Sequence, residues 1–152
     1  MSLILIVDKN ETAAAHASEI LMNAGHACGS VSSGEEALAL LCWRRPDLLL
    51  LVQDLPDMTG TQLLRKLRNS PKTYDLPVIM LTNVDGKVNE AIAFYHGAQA
   101  LIYTPYNIRI LTNEVEKVLS ARVGRPKHTS LEDYLEQATG RWREMPRLRA
   151  VG

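Results

Sequence analysis

Pro46-Asp47-Leu48-Leu49-Leu50-Leu51-Val52-Gln53-Asp54-Leu55-Pro56-Asp57-Met58-Thr59-Gly60 is the stretch whose reading decides the fold. Leu48 to Val52 is an apolar run with no polar alternation. That pattern suits a strand buried on both faces, as in a parallel sheet covered by helices. It is far too short to cross a bilayer. The run breaks at Asp54 into a turn-rich loop, which opens the next amphipathic segment. In an open parallel α/β sheet, ligands bind just beyond the carboxyl ends of the strands. Any chemistry therefore belongs where Val52 to Met58 emerge.

On the amino-terminal side, Leu3 to Val7 is a second buried-strand run, ending at Asp8. Asn10 is a good N-cap for a helix from Glu11 to Ala24, with Ile20, Leu21 and Ala24 as its apolar stripe and Gly25 as its stop. Ala27 to Ser32 reads as a weak strand. A helix then starts at Ser33-Gly34-Glu35-Glu36 and carries Leu38, Leu41 and Trp43. On the carboxyl side, Thr59 to Arg68 predicts a helix with Leu63, Leu64 and Leu67 inward, and Asn69 to Asp75 a turn. Leu76 to Thr82 is a fourth strand, Val88 to His96 a fourth helix closed by Gly97, Ala100 to Tyr103 a fifth strand and Ile108 to Ala121 a fifth helix. Strands alternating with helices through short connections imply an α/β fold with a doubly wound parallel sheet.

The 152 residues suffice for one such domain, over 3–121, and an appendage. The formal net charge is zero, so no overall field favours nucleic acid or membrane. Residues 1–121 hold 10 Lys/Arg against 13 Asp/Glu, whereas 122–152 hold 7 against 4. A slightly acidic body thus precedes a slightly basic tail. Residues 122–128 read as a basic linker. In 129–152, Leu131, Tyr134, Leu135, Ala138 and Trp142 form a helical stripe, which packs on its own domain or serves a partner or second subunit. Cys28 and Cys42 form no CxxC pair and read as buried or half-buried thiols of a cytoplasmic protein. The four histidines show no metal-ligand spacing.

Pro46-Asp47, the apolar strand, Pro56, Met58 and Gly60 resemble, without gaps, the central strand and loop of two-component response-regulator receiver domains. The resemblance covers residues 3–121 and adds Leu81-Thr82 and Thr104-Pro105 at the expected places. It implies a flavodoxin-like (CheY-like) sheet of five strands in the order 2-1-3-4-5, with five helices. It also implies a phosphorylation site at the strand ends. There, two acids help hold a divalent cation, a central Asp attacks phosphorus, a hydroxyl binds the phosphoryl group and a Lys neutralises it. Clustered carboxylates need a hard cation among them, and phosphoryl transfer depends on positioning and charge neutralisation.

Matched residue by residue, this site is degenerate. The acidic pair is Asp8-Lys9, so one acid is now a cation. The acceptor position is Val52, which has no nucleophilic oxygen, and the lysine position is Thr104. Thr82 keeps the hydroxyl, Asp54 lies two residues past the acceptor position, and Leu101 stands where the family's switch aromatic falls. The reciprocal change at Lys9 and Thr104 suggests that the Lys9 ammonium replaces the cation and pairs with Asp8 or Asp54; a solvated lysine at a loop mouth is the plainer alternative. Leu101, Tyr103 and Tyr106 are candidates for the fourth-helix, fifth-strand, fifth-helix face that receivers use for dimers and outputs, although Met58, Tyr95, Tyr103 and Tyr106 also suit packing.

The expected function is a non-enzymatic signalling module without cofactor. It would bind a protein (a histidine kinase, an output protein or a second copy as a homodimer) and would not enter a membrane. The alternative is a phosphorylated receiver that uses Asp54 or Asp57 with Mg2+. DNA binding ranks last, because four acids interrupt the basic tail and no helix-turn-helix pair follows.

Overall fold

The computed structural model of the chain describes residues 2–83 and 97–122. The expected helix from Val88 to His96, Tyr95, residues 123–128 of the linker and the tail lie outside them, while Arg122, expected to open the linker, is the last residue of the last described helix. The described elements are β1 (Leu3–Val7), α1 (Glu11–Asn23), β2 (Ala27–Val31), α2 (Gly34–Leu41), β3 (Leu48–Val52), α3 (Gly60–Arg68), β4 (Val78–Asn83), β5 (Ala100–Thr104) and α4 (Ile108–Arg122). Among the described residues there are thus four helices where five are expected of the whole domain. All strand pairs are parallel, and the order is β2-β1-β3-β4-β5.

The unbroken apolar runs have a direct structural cause. Successive strand side chains point to opposite faces, and here both faces are covered. Ile4, Ile6, Leu48 and Leu50 pack with Ala17, Ile20 and Leu21 of α1 and Leu111, Val115 and Val118 of α4. Leu5, Val7, Leu49 and Leu51 pack with Ala37 and Leu41 of α2 and Leu63, Leu64 and Leu67 of α3. β3 lies between β1 and β4, so it has no open edge, and Leu48 to Leu51 are fully buried.

Local signals place most boundaries. Asn10 accepts the Ala13 N–H at 3.0 Å and caps α1, and Gly25 takes the left-handed φ of 96° that ends it. Thr59 caps α3 in a reciprocal capping box with Gln62. β4 starts at Val78, two residues later than expected. Pro77 has no amide to donate, but its carbonyl accepts the Leu49 N–H at 2.9 Å. Ala24 is exposed and serves as the C-cap of α1, outside its apolar stripe.

Three expectations near the amino ends of the strands need correction or addition. The helix expected to run through Trp43 ends at Leu41, so Trp43 lies past it and is 88% exposed. Cys42 is exposed, while Cys28 is half-buried. Arg68, which local sequence marks only as the end of α3, is buried. Its guanidinium donates to the carbonyls of Gly97 (2.8 Å) and Thr73 (3.1 Å) and to the Gln99 side chain (3.3 Å). Gln99 also accepts the Val78 N–H at 2.7 Å, so this network ties α3 to the starts of β4 and β5. Among the described residues no helix is long and apolar enough to cross a membrane.

Candidate functional site

The strand order brings the carboxyl ends of β1, β3, β4 and β5 side by side. Val7 is in register with Leu51, Val52 with Leu81, and Asn83 with Thr104. Asp8 and Lys9 therefore follow β1 on one flank of Val52, with Thr82 on the other flank and Thr104 one strand further. Val52 is the last residue of β3, half-buried, and touches the core on both sides of the sheet.

Lys9 reaches across this edge. Its Nζ lies 2.6 Å from Asp54 Oδ2. Both side chains are well exposed, so the pair contributes on the order of 0–1 kcal/mol and weakens with salt. Asp8 takes a different partner: its Oδ1 accepts the Asn10 N–H at 2.9 Å and holds the turn into α1. Thr82 is buried, and its carbonyl accepts the Thr104 hydroxyl at 3.2 Å. The residue at the lysine position thus stitches β5 to β4 and carries no charge into the site.

The loop after β3 is held by its own contacts. Gln53 accepts both the Thr61 N–H (3.0 Å) and its hydroxyl (2.8 Å). The Gly60 N–H donates to the Gln53 carbonyl at 2.8 Å. Asp57 turns to α2 and accepts the N–H groups of Gly34 (2.9 Å) and Glu35 (2.8 Å). Gly34 packs against the Met58 side chain, which would have to turn aside for a Cβ there. These amide hydrogen bonds, Gly34 first, pull the Asp57 pKa below the ordinary carboxylate range. A lowered pKa stabilises the fold above the unfolded value, and that contribution is lost as pH falls through the folded one. Below about pH 4, the Gly34 and Glu35 amide resonances should therefore shift as Asp57 protonates. In Asp57→Asn that titration should vanish; if it persists, another group caps α2.

The site also includes a group read in the sequence only as a packing or face residue. Tyr106 follows the cis Thr104–Pro105 peptide and packs half-buried on the α1/α4 side of the sheet. Burial, followed by the negative charge of Asp8, raises its phenol pKa, so the hydroxyl keeps its proton. Leu101 instead packs on the α2/α3 side. Tyr103 shares that side by strand alternation. The three candidate face residues thus flank edge strand β5 from opposite sides.

The donor set fits a divalent cation poorly. One of the two acids expected after β1 is an ammonium, which itself engages Asp54, and Val52 offers no side-chain oxygen. Among the described residues no three His, Cys, Asp or Glu side chains cluster as metal ligands.

Comparison with known proteins agrees with this architecture. The response regulator receiver domain profile matches residues 4–116. The chain is 34% identical over 116 residues to the phosphate regulon transcriptional regulatory protein PhoB of Pseudomonas aeruginosa, a match that covers 76% of this chain and 51% of PhoB. It therefore spans about half the length of that relative. It is 31% identical over 124 residues to a chemotaxis protein CheY homolog of Campylobacter jejuni, covering 80% of this chain and 95% of that protein. The crystal structure of the signal receiver domain of a signal transduction histidine kinase from Syntrophus aciditrophicus superposes with a TM-score of 0.76 at 31% identity, covering 85% of this chain and 98% of that one.

Proposed function

Because the chain belongs to the response regulator receiver domain family, we propose that it is a member that takes no phosphoryl group and signals by binding proteins. The observation that carries this reading is the strand-end chemistry: Val52 ends β3, and the neighbouring Lys9 ammonium already occupies Asp54. An acyl phosphate needs a carboxylate oxygen to attack phosphorus and a cation to gather the charges around it. Lys9 supplies a fixed positive charge in place of an exchangeable metal, which favours one arrangement of the loop without Mg2+ or any other cofactor. The domain is then a non-enzymatic module of the cytoplasm, and a partner with unequal affinity for two of its states must set its conformation.

The partner is a protein: a histidine kinase, an output protein or a second copy. The flank of β5 suits it. Tyr103 and Tyr106 are half-buried there, and Ile108 and Ile110 at the start of α4 are 61% and 46% exposed. DNA is the weaker candidate, since the described domain belongs to a stretch with more acids than bases.

The test is incubation with Mg2+ and acetyl phosphate followed by intact mass, with beryllofluoride added in parallel while amide spectra are recorded. No phosphate-sized mass gain and no saturable shift are expected. A labile adduct mapping to Asp54 or Asp57 would establish the displaced-acceptor alternative with Mg2+.

A further inference from the structure

We propose that the turn closing α2, at the amino-terminal end of the strands and so opposite the strand-end site, docks an acidic segment of a protein partner that carries an apolar anchor. The turn displays one continuous exposed face. The N–H groups of Trp43 and Arg44 both donate to the Leu40 carbonyl at 3.0 Å. Leu40, Trp43 and Arg44 therefore stand at helical spacings of three and four, which share a side. Leu40 is 39% exposed and Trp43 88%, the most exposed large apolar side chain among the described residues.

This face is backed by a fixed platform. Arg45 donates to the Lys72 carbonyl at 2.6 Å and pairs with Asp75 at 2.9 Å, which holds the turn after α3 against the turn after α2. That contact consumes the charge of Arg45. It brings Lys72 alongside, and neither Arg44 nor Lys72 has an ion-pair partner among the described residues.

The charge around the face selects the occupant. Arg44 is exposed on the turn after α2 and Lys72 on the turn after α3, the two turns that Arg45 joins. The acids between Arg44 and Lys72 in the chain are engaged elsewhere: Asp47 accepts the Leu3 N–H, Asp54 pairs with Lys9 and Asp57 caps α2. A partner with carboxylates can therefore pair with Arg44 and Lys72, which form no ion pair among the described residues, while Trp43 and Leu40 offer apolar area. Trp and Arg are the residue types that dominate protein interface energetics, and rim charges set the choice of partner. A nucleic acid would need a longer track of cations and would face the net acidity of residues 1–121.

The full chain carrying Trp142→Phe leaves Trp43 as its one tryptophan. Titrating it with a synthetic peptide of glutamates interleaved with leucine and phenylalanine is expected to give a saturable blue shift of Trp43 emission. Arg44→Glu and Lys72→Glu, both at exposed positions, should weaken that binding at least tenfold with unchanged thermal midpoints. The lysine counterpart of the peptide should give no shift. Absence of a shift with the glutamate peptide, or equal affinity in the charge-reversed variants, would overturn the proposal. Tighter saturation by oligothymidylate would replace it with a nucleic-acid site.

Discussion

Val52→Asp combined with Lys9→Asp and Thr104→Lys is expected to gain one labile phosphate from acetyl phosphate and Mg2+, where the parent gains none. The three substitutions return a nucleophilic carboxylate, a second metal-binding acid and a neutralising ammonium to the matched positions. The scaffold they need is in place. β3 ends at Val52 between Val7 and Leu81, Thr82 keeps its hydroxyl, and Gly60 closes the loop on the β3 end. Phosphoryl transfer requires little beyond such positioning and charge balance, so the gain should be all or none by mass. Val52→Asp alone should stay unmodified. Its new carboxylate would sit half-buried near Asp8, while Lys9 already holds Asp54, and the site would still lack a donor set for the metal. Phosphorylation of the single variant would mean that Lys9 does not exclude the cation. A triple variant that folds, by its amide spectrum, yet stays unmodified would mean that the strand ends are not spaced for the reaction.

How much of this was legible in the sequence depends on the range of each interaction. β3 and β1 announce themselves because both faces are buried, which leaves an apolar run that no helix or exposed strand needs. Caps such as Asn10 and Thr59 act within three residues and read equally well. The strand order came from family resemblance, since alternation of elements alone admits several orders. The charge inversion at Lys9 was visible as a residue type. Its choice of Asp54 over Asp8 was not, because it depends on where the fold brings the loop after β3. Asp57 on α2, Asp8 beside Tyr106 and Arg68 on Gly97 join segments far apart in the chain and leave no periodic mark. Trp43 misled for a related reason. No Gly or Pro before Pro46 marks the end of α2 at Leu41, so the sequence does not show that the helix has ended when the chain reaches Trp43.

Gly60→Ala tests whether the loop that shapes the site is as tightly held as its contacts suggest. An ideal Cβ at this position would overlap the Val52 carbonyl oxygen and press on the Gln53 Cα, both of them backbone atoms that cannot rotate away. The collision therefore has to be relieved by moving β3 away from the start of α3. That movement lengthens the Gly60 N–H to Gln53 carbonyl hydrogen bond of 2.8 Å and strains the antiparallel bridge between Asp54 and Thr59. Alanine's better helix propensity returns about 1 kcal/mol. Backbone displacement of this kind costs more, and a net loss of about 3 kcal/mol is expected. For a domain of this size, that lowers the thermal midpoint by roughly 10 °C. Gly29→Ala is the matched control. Its Cβ would meet only the Leu5 Cδ1, at an ordinary 4.0 Å, so its midpoint should hold or rise. Equal midpoints in the two variants would show that the loop yields to the methyl group. Its shape would then follow from the Lys9–Asp54 pair and the Asp57 cap, and not from close backbone packing at Gly60.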